Sequence, residues 1–223
     1  MRLFSQTKAL FIKEIQLEWR NRYAFNGILL YVIGAVFVCY LSFNVKRGVV
    51  HPITWNALFW IIILFCAINA VSKSFSGERE GRNLYYYTLA SPQAIIISKT
   101  IYNTLLLLLL GSLAFVFYSL IMGNPVQDLF LFVACIVLCA FSFAGVLTLI
   151  SAIASKAGSS STLMAILSFP TILPLLLLII KISKNAMDGL ELTSSYKDLS
   201  MLSAITVIIF ASSYILYPYI HKS

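Results

Sequence analysis

The chain has 223 residues, 60% of them hydrophobic and only 11% charged, with a formal net charge of +8. A soluble domain is about 25% charged, so the deficit argues against one and places the chain in the membrane class. The basic excess does not indicate nucleic acid, because the Lys and Arg residues sit at the ends of apolar blocks, where they signal topology and meet lipid headgroups.

Residues 1–22, MRLFSQTKALFIKEIQLEWRNR, come first. Leu3, Leu10 and Leu17 repeat every seven residues and Phe11, Ile15 and Trp19 every four, with Arg2, Gln6, Lys13, Gln16 and Arg20 on the other side. The pattern predicts an amphipathic helix, suited to the cytoplasmic headgroup plane or else an ordinary cytosolic helix. Its two glutamates and the lack of a small-residue cleavage site argue against a cleavable signal.

Six uncharged stretches follow, at 23–45, 48–72, 100–127, 129–155, 157–180 and 199–221. Each exceeds the roughly 20 residues needed to cross the hydrocarbon core. They predict helices near 24–43, 53–71, 100–122, 128–151, 162–181 and 201–220, in an all-α membrane protein that forms a single transmembrane domain over 1–223. Eleven basic residues fall on one side: Arg2, Lys8, Lys13, Arg20, Arg22, Lys73, Arg79, Arg82, Lys99, Lys156 and Lys222. The other side holds five: Lys46, Arg47, Lys181, Lys184 and Lys197. The positive-inside rule then predicts both termini and the 72–99 segment in the cytoplasm and the 182–200 loop outside, as a short ordered connection.

The fourth span carries Ala140, Ala144, Thr148 and Ala152 at four-residue spacing with Gly145 beside them, a stripe that lets helices approach closely, within one chain or across a dimer. The four cysteines (Cys39, Cys66, Cys135, Cys139) all lie in apolar blocks with no disulfide or zinc spacing. In the fifth span, Phe169, Pro170 and Pro174 predict a kinked or broken helix, since proline removes a hydrogen bond and clashes with the preceding turn. Such a helix is either a static kink or a flexible, pathway-lining element.

Several absences restrict function. No Asp, Glu, Lys or Arg falls near the middle of a span, where ion-coupled transporters and proton relays bury such groups. The two histidines, His51 and His221, lie at membrane edges, so bis-histidine haem ligation inside the bundle is excluded. No GxxxxGK[ST] loop is present to cradle a nucleotide, and no catalytic constellation or metal site assembles. The spans therefore take their energy from elsewhere.

The longest polar interruption, Phe75–Lys99, is the candidate point of entry for that energy: FSGEREGRNLYYYTLASPQAIIISK. Ser74 or Ser76 suits the cap of a short helix with Glu78 and Glu80 in its first turn. Tyr85 to Tyr87, Leu84 and Leu89 offer an aromatic and apolar surface, and Ser91-Pro92 ends that element and starts the third span. Such a segment either docks a soluble partner or merely anchors the loop at the interface.

The pattern Phe75-x-x-Glu78-x-x-Gly81-x-x-Leu84-x-x-x-x-Leu89-x-Ser91-Pro92, closing at Lys99, resembles the coupling segment of type 2 ABC exporter permeases. With the length, the six spans, the amphipathic N-terminal helix and Phe169-Pro170-x-x-x-Pro174-Leu175-Leu176, the whole chain is similar to the cytochrome c maturation protein B (CcmB) family. The resemblance implies a non-catalytic permease subunit in the bacterial inner membrane, with N-in/C-in topology and no nucleic-acid partner. Two copies would pair with two copies of a cytosolic ATPase, CcmA, which hydrolyses the ATP. CcmC, CcmD and the haem chaperone CcmE are the further partners, release of haem-loaded chaperone is the output, and haem is at most a transient substrate rather than a resident cofactor. Phe75, Glu78, Gly81, Leu84, Leu89, Ser91, Pro92 and Lys99 are the implied coupling residues. A type 2 permease for another lipid-like or drug-like substrate, or a non-transporting membrane scaffold, are the alternatives.

Overall fold

The structure, a computed structural model, describes residues 2–20, 23–44, 50–76, 90–156, 160–190 and 192–222. Among the described residues every regular element is a helix: α1 (Arg2–Arg20), α2 (Tyr23–Asn44), α3 (Pro52–Ser76), α4 (Pro92–Met122), α5 (Leu129–Lys156), α6 (Ser160–Met187) and α7 (Leu192–Lys222). The last six are each long and apolar enough to cross a membrane. α1 is the amphipathic segment and packs along α4.

The helices are longer than the apolar stretches predicted. α4 begins at Pro92 and not near residue 100, because Ser91 supplies a real N-cap: its backbone is extended, its Oγ accepts the Ala94 N–H, and Pro92 fills the first helical position, where no N–H is needed. Residues 92–99, expected within a loop, are therefore helical. The expected 182–200 loop is likewise mostly helix. α6 runs to Met187 and α7 starts at Leu192. The link is a tight turn in which Asp188 N–H donates to Lys184 O and Leu190 N–H to Asn185 O. Gly189 sits there at φ +65°, a left-handed conformation that glycine adopts at no steric cost.

α5 is the central helix and touches α3, α4, α6 and α7. Its small-residue stripe explains this position. Ala140, Ala144, Thr148 and Ala152 are all buried, and a Cβ at Gly145 would stand 3.0 Å from Ile209 Cγ2 of α7. The stripe thus packs within the chain. At the end of the bundle away from the termini, an aromatic cluster fills the space between α3, α4 and α5. Trp55, Phe59, Tyr118 and Phe132 meet with ring centroids 4.6 to 5.9 Å apart. Polar tips in the cluster are satisfied: Trp55 Nε1 donates to Gly123 O, Tyr118 Oη to Trp55 O, and Trp60 Nε1 to Ser183 Oγ of α6.

Lipid tails are as apolar as leucine, so burial of hydrocarbon gives little drive for these helices to associate; packing and interhelical hydrogen bonds supply it. The molecule is arranged accordingly. Asn56 and Ser183 bond across α3 and α6, and Ser142 and Thr206 across α5 and α7. Large apolar residues such as Leu30, Leu120, Phe130 and Val207 face outward.

Candidate coupling site at the terminal end of the bundle

Phe75, Ser91, Pro92 and Lys99 converge at the end of the bundle that carries both termini. Glu78, Gly81, Leu84 and Leu89 lie outside the described residues, as do Glu80 and Tyr85 to Tyr87. The described part is therefore the base of the coupling segment: the end of α3, from which it leaves, and the start of α4, to which it returns.

Lys99 is the centre of this base. It lies two turns into α4, with 3% of its side chain exposed. Its Nζ is 3.1 Å from Glu14 Oε1 of α1, donates to the Ser74 carbonyl in the last turn of α3, and stands 4.7 Å from the centre of the Phe75 ring. One ammonium thus ties α1, α3 and α4 together. An ammonium this buried needs a counter-charge and acceptors, and the free carbonyls at a helix C-terminus are natural acceptors with favourable dipole. Ser74 lies in the last turn of α3; the short helix that it or Ser76 was expected to cap lies outside the described residues.

Phe75 is buried and packs on Tyr217 near the end of α7, with centroids 5.8 Å apart. Ile95, Ile96, Ala152 and Tyr217 form one small apolar cluster with it, and Leu10 of α1 packs on that cluster. Behind Lys99, the buried Asn103 amide donates to Ser74 Oγ at 3.1 Å and to Thr148 Oγ1 of α5 at 2.8 Å. Asn103 thereby connects the base to α5, the helix that meets most of the others.

Sequence reading missed the part played by α1. Gln6 was assigned to the polar side away from the helix's apolar rows, yet its Oε1 accepts from both Ser91 Oγ (3.0 Å) and Ser91 N–H (3.3 Å). Gln6, Leu10 and Glu14 are spaced i, i+4, i+8 and share one face. That face holds the base of the coupling segment, while Phe4, Ile12, Ile15 and Trp19 stay exposed. The available signal was the cation at the start of span three, which required an acid, and Glu14 and Glu18 are the two acids of α1.

Of the kinked or broken helix expected at the prolines, the break does not occur. α6 is one helix through Pro170 and Pro174, because a gap at this depth would strip further backbone groups of their partners. Ser168 and Thr171 turn their hydroxyls back onto Met164 O and Leu167 O. Phe169, Pro170 and Pro174 face out of the bundle with Ile166, Leu173 and Leu177. His51, at the membrane edge, is exposed and helps start α3: its carbonyl accepts the Trp55 N–H at 3.0 Å.

Fold and site together define a helical, multi-pass membrane protein whose polar inter-span segment is held at both ends by several helices. The family model for the CcmB protein matches residues 5–217, and the chain belongs to that family. Membership carries an assignment to cytochrome c biogenesis, as the membrane component of a transporter. No curated protein and no solved structure matches the chain.

Proposed function

We propose that this chain is the permease subunit of an ABC-type complex for cytochrome c biogenesis, coupling ATP hydrolysis on a separate cytosolic ATPase of the CcmA kind to release of a haem-loaded chaperone. The single observation that carries the reading is the base of the coupling segment. Lys99, Phe75 and Ser91 lock both ends of the segment to α1, α3, α4 and α7, and Asn103 links it to α5. A loop that only recruited a partner would need no such rigid connection to the spans. On this reading the chain is non-catalytic, has a type 2 exporter arrangement with both termini in the cytoplasm of a bacterial inner membrane, and treats haem as transient cargo at most.

Two copies with two ATPases, acting with CcmC, CcmD and CcmE, complete the assembly. The outward face of α6 suits that stoichiometry: Phe169, Pro170 and Pro174 line a pathway only where a second copy closes it. The test is to replace Glu78 or Gly81 and measure ATPase activity and holo-cytochrome c in a co-purified complex. Loss of stimulated ATPase and of holo-cytochrome c, with assembly intact, is expected; unchanged values in both would refute coupling through this segment.

A further inference from the structure

α1 stands alongside α4. Gln6 meets Ser91 and Glu14 meets Lys99, and each pair is 85 residues apart in the chain. Two contacts with one offset, two turns apart, mean that the helices run side by side in the same direction. α4 in turn marks the membrane. Residues 91–100 are enclosed by protein, and none of them is exposed. At Ile101 an outward apolar stripe begins and continues through Leu105, Leu109, Val116 and Leu120. Ile101 to Leu120 rises about 29 Å, which matches the ~30 Å hydrocarbon core. The hydrocarbon edge nearest the termini therefore lies near Ile101. Gln6, level with Ser91, stands about 15 Å outside that edge, and Phe4 about 18 Å. The headgroup layer is only about 5–8 Å deep. α1 thus starts in water and reaches the membrane at its far end, near Trp19.

What α1 shows to that water is apolar and cationic. Phe4 is 79% exposed, the highest value among the large apolar side chains described. Leu120, nearly as exposed, ends the stripe on α4 and has lipid to cover it, whereas Phe4 has none. Phe4, Lys8 and Ile12 follow at i, i+4 and i+8 on one face, all exposed, and Leu3 flanks Phe4. The two acids of α1 do not share this face: Glu14 is paired with Lys99, and Glu18 lines a cavity with Tyr102. An apolar patch of this kind, with charge beside it and outside the bilayer, marks a surface for another protein.

We infer that Leu3, Phe4 and Lys8 form a second docking surface for the cytosolic ATPase, separate from the coupling segment; the inference rests on the function proposed above. Phe4 and Leu3 fit an apolar hollow on that protein, and Lys8 a carboxylate at its rim. Position selects this occupant. Gln6, two residues from Phe4, holds Ser91, where the coupling segment rejoins the bundle. A helix about 10 Å across is all that separates Phe4 from that point, so a protein seated on the segment extends over the start of α1. The inner face of α1 then ties the same contact to Lys99 through Glu14.

The test uses the full chain in nanodiscs, with its four native cysteines replaced and an environment-sensitive fluorophore on Phe4→Cys or Trp19→Cys. Brominated phosphatidylcholine should quench the label at 19 and leave the label at 4 unquenched. Adding the ATPase subunit should shift emission of the label at 4 to the blue and leave that at 19 unchanged. Phe4→Glu, at a position too exposed to disturb the bundle, should weaken ATPase binding about tenfold, as for a residue at the centre of an interface. Its thermal unfolding should match that of the parent. Quenching of the label at 4 by lipid would lay α1 flat in the headgroups and overturn the proposal. A blue shift that grows with the concentration of this chain alone would give the surface to a second copy and also overturn it. Gly81→Leu is measured in parallel. If it abolishes ATPase stimulation while Phe4→Glu leaves binding unchanged, the α1 contact is refuted and coupling through the segment stands. If Phe4→Glu weakens binding while Gly81→Leu leaves stimulation unchanged, the α1 contact stands and coupling through the segment falls.

Discussion

Lys99 illustrates how a single side chain decides between stability and mechanism. Its ammonium and Glu14 are 3% and 13% exposed, so removing Lys99 leaves Glu14 in a nearly dry site with only the weaker contact to Lys13 at 3.4 Å. Lys99→Met should lower unfolding stability by about 3–5 kcal/mol, the cost of breaking a buried pair. Replacing both, Lys99→Met with Glu14→Leu, should recover most of that loss, since a buried pair and a well-packed apolar substitute are of similar stability. Thermal unfolding in detergent measures the stability, and ATPase activity of the co-purified complex measures the coupling. The double variant should remain uncoupled although stable, because α1, α3 and α4 are then no longer tied through one atom. Gly145 presents the same question without charge. A leucine there would drive its side chain into Ile209 and Phe210, and an overpacked contact of that kind costs about 1–3 kcal/mol. A lower melting temperature of the Gly145→Leu protein would be the check.

At the scale of elements, α4 and α6 carry the argument. The start of α4 rests on Ser91, which caps the helix and also takes Gln6 of α1 as its partner. Ser91→Ala should remove about 1 kcal/mol of cap stabilisation and detach the start of α1. Faster proteolysis near residues 77–91, with the rest of the bundle protected, would report it. In α6 the two prolines persist in a continuous helix because its other face is held by Ile172, Leu175, Leu176 and Ile179 in the core. Its exposed face repeats at 166, 169, 170, 173, 174 and 177, a helical stripe. If a second copy covers it, single cysteines at Phe169 or Leu173, in a chain whose four native cysteines are replaced, should cross-link copies in the membrane. Cysteine at Leu120, an exposed position on α4, should not.

Across the whole molecule, the interior is where the small polar residues are. Asn56, Ser98, Thr100, Asn103, Thr104, Ser142, Thr148, Ser168, Ser183 and Thr206 are buried, and much of the outer surface is Leu, Ile, Val and Phe. This inversion follows from the solvent. In lipid an exposed hydroxyl or amide has no water to bond, so it turns inward and bridges helices or returns to its own backbone. The result is a bundle in which Asn103 and Thr148 connect the coupling base to the central helix, while Asn56 and Ser183 join α3 and α6 at the far end. On the proposed function, force applied at the base of the segment reaches the core by these contacts. Asn103→Leu should therefore leave the protein inserted yet reduce partner ATPase stimulation several-fold, a loss of roughly 1 kcal/mol in coupling being typical for a residue along such a connection.

The sequence by itself determined the membrane class, six spanning helices, the amphipathic α1, the Ser91-Pro92 helix start and the polar segment between the second and third spans. All of these are local: they depend on length, periodicity and the absence of charge, each readable within a window of some twenty residues. It did not determine helix ends or faces. Residues 92–99 and 182–200 looked like loops, despite the helix-start signal at Ser91-Pro92, because Lys99 in the one and Lys184, Lys197 and Asp198 in the other, with Lys181 at its edge, appear incompatible with a span. The tertiary structure resolves this by pairing Lys99 with Glu14 and Lys181 with Asp198 at 2.9 Å. Partners 85 and 17 residues apart in the chain leave no local trace. The same holds for the inward turn of Gln6 and Glu14 and the outward turn of Pro170 and Pro174. When every face of a helix is apolar, only its neighbours decide which face is inside.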